Sequence, residues 1–269
     1  MNRSFPIPVL MYHDLSGPGE EGPRDHGPYV LAEGRFEDQL STIAAAGFRG
    51  VRLDALLAAA PAPPSPGRPC VLTFDDGHES NCTRALPRLL RAGFQATFFV
   101  TAGWMGRSPY LSWEQLRTLA EAGMEIGSHS MTHRPPAGLS PAELRAEMED
   151  SRRLLEDRIG RAVVSASSPT GFFNPRLGPI VRDLGYRALC VGRIGLWSDP
   201  ADAYRIPRLA VKRRTGLDEL GRMVRGDGWL IARLRGEQAA RNGLKSMLGA
   251  DRYLRVRRWL LGRRPSGAR

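Results

Sequence analysis

Two short segments hold most of the chemistry in this sequence. The first is Thr73-Phe74-Asp75-Asp76-Gly77, where an apolar run, VLTF, leads straight into two adjacent carboxylates and a glycine. In a parallel α/β fold, sites collect where strands end at their C-termini. Two neighbouring acids there repel one another and resist desolvation, and a bound cation offsets both effects. Alone, Asp-Asp-Gly also reads as an Asx-capped turn before a helix. The second segment, Gly127-Ser128-His129-Ser130-Met131-Thr132-His133, follows another apolar run, MEIG. Two of the chain's five histidines stand four residues apart in it. On a turn or a first helical turn that spacing points both rings to one side, where they can hold a divalent ion or simply face solvent. Taken together, one carboxylate and two imidazoles supply three ligands and leave a position open, as in a catalytic zinc-type site. The second carboxylate is then available as a base toward water. Residue type alone does not say which aspartate does which.

Both segments need strand ends to position them. Strand candidates are Ile7–Tyr12, Cys70–Phe74, Ala96–Val100, Met124–Gly127, Val163–Ala166, Arg187–Val191 and Ile206–Val211. Helical patterns fall between them at 35–46, 53–60, 83–92, 112–122, 141–159, 175–184 and 216–225. Gly47, Gly93, Gly123 and Gly185 are placed as left-handed helix caps, and Ser112 and Ser140 as N-caps. Strand–helix alternation at this spacing predicts parallel strands with crossover helices, and about seven repeats favour a barrel over an open sheet. The stretch from Pro61 to Pro69 reads as a stiff surface connection.

The bulk numbers bound the rest. The chain has 269 residues, 42% apolar and 25% charged, enough for one large α/β domain and unlike a disordered chain. Cys70, Cys82 and Cys190 are widely spaced and form no CxxC pair, so neither a disulfide framework nor a zinc ribbon is expected. The N-terminal apolar run is short and broken by Pro6 and Pro8; it reads as a first strand rather than a signal peptide, and the expected location is cytoplasmic. Net charge is +11, yet residues 233–269 hold eleven Lys/Arg against two acids, so the basicity belongs to a C-terminal appendage. There Tyr253, Leu254, Val256, Leu260 and Leu261 cluster loosely on one helical face among arginines. The tail reads as a solvated helix packed on the barrel or as an amphipathic contact with an anionic membrane surface at the inner face. No recognition motif accompanies the charge, so nucleic acid is not an expected partner.

With TFDDG at 73–77 and HSMTH at 129–133 in view, the sequence resembles the polysaccharide deacetylases, carbohydrate esterase family four. IPVLMYH at 7–13, FEDQLSTIAAAGFRGVRLDALL at 36–57, ATFFV ending at Val100, LSWEQLRTLAEAGMEIGSHS at 111–130 and AGLSPAEL at 137–144 also look like that family. The resemblance covers roughly residues 7–211. It implies an α/β fold, a distorted (β/α)7-type barrel; with the charge distribution, the barrel is expected over residues 1–228 and a basic extension over 229–269. It implies hydrolysis of the acetamide of an N-acetylated amino sugar with one divalent ion, zinc in the first place. Position by position, it makes Asp76, His129 and His133 the metal ligands and Asp75 the general base.

A general acid must protonate the leaving amine, and many family members place a late histidine there. No histidine follows His133, which leaves His13, His26 and His78. His13 ends the strand PVLMYH, as the other site residues end theirs. The resemblance points there too, to a subgroup with circularly permuted motifs in which the MYH histidine comes first. A closed barrel tolerates that permutation, because its first and last strands are neighbours. His26 lies in a Gly/Pro-rich loop, and His78 follows the DDG turn as a candidate pocket residue. The third family motif is altered: Ser168-Pro169-Thr170-Gly171-Phe172 keeps the proline and glycine but lacks the arginine that holds the catalytic aspartate and the tyrosine that follows. The family's oxyanion donor is a backbone N–H, here that of Thr170, which survives a change of side chain. Pro169, Gly171, Phe172 and Trp197 are candidates for the pocket, the last two as an apolar rim. The altered motif alone favours a different class of reading, a non-catalytic sugar-binding or membrane-associated relative.

Overall fold

In a computed structural model of the chain, residues 6–19, 24–58, 67–171, 174–199 and 202–248 are described. The chain divides into two units, Met1–Asp227 and Gly228–Arg269. The first opens with β1 (Val9–Tyr12), β2 (Asp14–Ser16), β3 (Val30–Ala32), α1 (Glu33–Ala45), β4 (Phe48–Val51), α2 (Leu53–Leu57) and β5 (Arg68–Phe74). It continues with α3 (Leu86–Arg91), β6 (Thr97–Val100), α4 (Trp113–Glu121), β7 (Glu125–Ser128), α5 (Pro141–Ile159) and β8 (Ser165–Ser167). It ends with α6 (Leu177–Asp183), β9 (Ala188–Cys190), β10 (Leu209–Ala210) and α7 (Leu217–Arg225). The second unit holds α8 (Gly228–Leu248). The tail's expected apolar face at 253–261 lies outside the described residues.

The main sheet runs β10-β1-β5-β6-β7-β8-β9, all parallel, with β4 against the first half of β5. Val191 N donates to Ile206 O at 2.9 Å and Ile206 N to Leu189 O at 3.0 Å, so the segment entering β10 also pairs with β9. The sheet therefore curls back on itself, and β1 neighbours the last strand, as the permuted motif order requires. This is the α/β barrel the alternation predicts. Strand β4 escaped the sequence reading because FRGV is short and carries Gly50. That glycine is needed: a Cβ there would lie 2.7 Å from the Phe94 ring.

Local signals set the helices in place. Ser112 with Gln115 and Ser140 with Glu143 form reciprocal capping boxes at the starts of α4 and α5. Gly47, Gly93, Gly123 and Gly185 all adopt left-handed φ, between +67° and +83°. The helix expected from Thr83 begins as a π turn at Asn81–Ala85 before α3, a geometry that concentrates at functional sites. One side-chain placement is corrected. Trp197 bridges Ile7, ahead of β1, and is buried in the core with Val9, Val51, Leu53 and Val71. It stands at the N-terminal side of the strands and forms no rim at their C-terminal ends.

Candidate active site

Four strand ends converge. His13 follows β1, Asp75 and Asp76 follow β5, His129 follows β7, and Ser167 ends β8. Asp76 Oδ1 lies 3.3 Å from His133 Nε2 and 3.5 Å from His129 Nε2. Ligand atoms about 2.0–2.1 Å from one ion sit about 3.4 Å apart along a tetrahedral edge, so this spacing fits a zinc-sized ion. Asp76, His129 and His133 are the group that could hold a metal among the described residues. His129 Nδ1 lies 3.0 Å from the Ser167 carbonyl, which can only accept. The proton therefore sits on Nδ1, and the Nε2 lone pair faces Asp76. Burial pushes the His129 pKa down to about 4, so the ring is neutral and fit to ligate. For Asp76, burial acts upward, but interactions led by the hydrogen bond from His133 outweigh it and hold the carboxyl far below its usual range.

Backbone conformation shows what this arrangement costs. Asp76, Ser130 and His133 have φ of +77°, +67° and +62°. Such values in non-glycine residues cost free energy and gather at functional sites. The HSMTH loop is held from several directions. Glu147 of α5 accepts from Met131 N, Thr132 N and the Thr132 hydroxyl. Ala102 N and Gly103 N donate to Ser130 O and Met131 O, at 3.1 and 2.9 Å. Gly103 is required, since a Cβ there would meet Met131 O at 2.6 Å.

Asp75 lies in a different environment. Arg208 grips it with two parallel bonds, Nη1 to Oδ1 at 2.6 Å and Nη2 to Oδ2 at 2.8 Å. The same guanidinium donates to Ser167 Oγ at 2.7 Å and Thr73 Oγ1 at 3.2 Å. Burial acts to raise the Asp75 pKa, but Arg208, through its charge and its hydrogen bonds, outweighs it, and the carboxyl lies below its ordinary value. Burial acts to discharge Arg208, and Asp75 likewise outweighs it, so the guanidinium stays charged. Asp75 Oδ2 is 3.8 Å from His129 Nε2, beside the ligand set. The arginine missing from the third motif is thus supplied by Arg208. Residue type gave no sign of this, because Arg208 precedes β10, level with Val9 and Val71 in the ladder. Its long side chain runs up inside the barrel, past the Phe99 ring.

The other predicted residues are distributed around this centre. The His13 ring packs on Tyr29 at 4.6 Å, and its carbonyl accepts from Asn81 Nδ2 at 2.8 Å. His13 is near enough that a proton on its ring would stabilise both carboxylates. His78 is 1% exposed, so it lies under the site and does not line an open pocket. Pro169 is buried and Thr170 is exposed at φ +60°, three residues after Ser167. Gly171 closes the same short turn. Phe172 lies outside the described residues, and His26 falls in the turn at Arg24–Tyr29 with its side chain outside them. The aromatic wall comes from residues not singled out by the motifs. Trp104 packs 4.9 Å from His133 and 4.7 Å from Tyr110, and both are half-buried.

The profile of the polysaccharide deacetylase family matches residues 62–189. YxkH of Bacillus subtilis, which carries that family name, is 28% identical over 200 residues, 74% of this chain and 67% of its own. A peptidoglycan-N-acetylglucosamine deacetylase of Bacillus cereus is 29% identical over 135 residues, 49% of this chain and 58% of its own. The chain thus spans about two thirds of one relative and less of the other. Among solved structures, the Streptococcus pyogenes deacetylase PplD in complex with acetate aligns with a TM-score of 0.73 at 22% identity, covering 82% of this chain and 98% of that one. IcaB from Ammonifex degensii aligns at 0.68 and 24% identity, covering 81% and 97%. At these identities the two structures speak to the barrel alone. Together with the motifs at its strand ends, the profile and the relatives identify residues 62–189 as a polysaccharide deacetylase domain.

Proposed function

We propose that the chain is a metal-dependent hydrolase that removes the acetyl group from an N-acetylated amino sugar. One observation carries this reading: a three-donor set with tetrahedral spacing stands beside an aspartate held ionised by a buried arginine. A divalent ion, zinc in the first place, held by Asp76, His129 and His133 would supply Lewis acidity toward the acetamide carbonyl and make water easier to deprotonate. Asp75 takes the proton of the attacking water, as its ionised state and its place beside the ligands allow. The Thr170 N–H, at the mouth of the β8 end, donates to the oxygen that gains charge. His13 gives a proton to the departing amine, and acetate leaves. Trp104, Tyr110 and Tyr29 offer aromatic faces on which the apolar side of a sugar ring can lie.

The non-catalytic reading rested on the altered third motif, and the Arg208 clamp removes that support. The test is acetate and free-amine release from a panel of N-acetylhexosamines and their oligomers, with the protein stripped of metal and then reloaded. Release on reloading is the expected result. Sugar binding without release from any member of the panel would instead identify a binding protein.

We propose further that the basic tail reaches an anionic membrane surface. Its charge supports this. Flotation with anionic vesicles should retain the full chain and release a chain lacking residues 233–269. Equal, negligible binding of both would remove the idea.

A further inference from the structure

The two oxygens of Asp76 face different partners. Oδ1 faces the two histidines of the ligand set. Oδ2 faces His78, whose Nε2 stands 3.9 Å away. The other ring nitrogen, Nδ1, is 4.0 Å from Asp14 Oδ2. Asp14 Oδ1 accepts from Ser80 Oγ at 2.6 Å, and Ser80 Oγ in turn accepts from Leu15 N at 3.0 Å. Asp14, Ser80 and His78 are all buried. The His78 ring is held against Tyr110 at 5.1 Å, and the backbones of these two residues form a β-bridge.

Placing a further carboxylate and an imidazole next to an already acidic site carries a desolvation cost. None of the roles assigned above uses either group. Their chain positions matter: Asp14 directly follows His13, and His78 comes two residues after Asp76. The file from β2 to the DDG turn therefore joins the element that carries the proposed acid to the carboxylate of the proposed ligand. The separations at His78 are longer than a hydrogen bond. The packing of the ring between Tyr110 and the two carboxylates would set the rotation of Asp76.

We propose that His78 is a positioning residue for Asp76, with Asp14 and Ser80 orienting its ring, so that Oδ1 is the oxygen presented to the metal. The proposal rests on the reading of Asp76, His129 and His133 as a metal site. Partners that orient a ligand in this way typically change metal affinity by about 10–100-fold when removed.

The experiment is a titration of the metal-free full-length chain with Co(II). It is followed by the visible absorption of the bound ion and by competition with a chelator, alongside thermal melts of the metal-free proteins. His78→Leu should bind Co(II) about 10–100-fold more weakly, with altered absorption bands. His78→Gln, whose amide keeps a donor toward Asp76, should recover most of that loss. Asp14→Asn should weaken binding while leaving the metal-free melt close to wild type, and it carries the test if His78→Leu does not fold. Wild-type affinity and bands in His78→Leu would overturn the proposal. So would equal losses in His78→Leu and His78→Gln that track equal losses in the melt, since that is packing alone. If the wild-type chain binds no Co(II), the metal site itself falls and this inference with it; a wild-type chain that binds while the variants match it overturns the inference only.

Discussion

Asp75 and Asp76 are neighbours in sequence, and both are buried, yet their partners send them to different tasks. Asp76 meets imidazoles, with which it could hold an ion. Asp75 meets a guanidinium, which compensates its charge through two hydrogen bonds. Replacing Asp75 by Asn should therefore abolish acetate release, by about 10²–10⁴-fold or more, while Co(II) still binds. Wild-type turnover in that variant would refute the assignment of the base. Arg208→Met leaves a buried carboxylate with no compensating charge. It should cost about 3–5 kcal/mol in denaturant unfolding and also lower turnover sharply. A stable, fully active Arg208→Met protein would show that the clamp is dispensable.

At the scale of the element, the ligand loop is only as rigid as what braces it. HSMTH has two residues at left-handed φ and no regular structure of its own. Helix α5 supplies the brace through Glu147, which accepts three bonds from Met131 and Thr132. The Ser140 capping box fixes the start of that helix. Glu147→Ala should weaken metal binding by about 10-fold or more, read by chelator competition. Ser140→Ala should instead cost about 1 kcal/mol of stability and leave metal affinity unchanged. A common effect on both readouts from both variants would mean that brace and cap are one cooperative unit.

For the whole molecule, charge is buried at two places with opposite pH behaviour. At the site, Asp75 and Asp76 have depressed pKa values, so they contribute stability above the ordinary carboxylate range and lose it as pH falls. Glu125, at the start of β7, is the reverse. Burial and the nearby Asp54 carboxylate push it up to about 7, against hydrogen bonds from Ser165, Asp54 N and Thr97. The folded state therefore holds that proton between about pH 4.5 and 7 while the unfolded chain releases it, and stability falls as pH rises through that window. Neutral His129 acts the other way over the same window, so the check is a difference: between pH 5 and 7 the denaturant midpoint of Glu125→Gln should rise relative to that of wild type, and equal changes in both would exclude Glu125 as a source. Metal removal acts on the same global equilibrium. An ion at about 100 times its dissociation constant adds about 2.7 kcal/mol, so chelation should lower the melting temperature by several degrees.

Local pattern was enough to place most of the machinery. An apolar run ending in Asp-Asp-Gly, another ending in a pair of histidines, and helix caps at regular intervals fix which residues stand at strand ends, because period and cap are local properties of the chain. The barrel followed from the same alternation, and the closeness of β1 to β10 from the need to close it. What only the tertiary structure decided were the partners brought in from other elements. Arg208 enters from below a strand end, so nothing in its own surroundings in the sequence marks it. Trp197 shares the residue type expected of a sugar platform, but the fold buries it at the far end of the strands, and Trp104 stands at the site instead. Asp14 and His78 meet only because β2 folds against the DDG turn. Residue type determines what a side chain can do; long-range packing decides which other charge it meets, and the strength of each interaction at this site depends on that meeting.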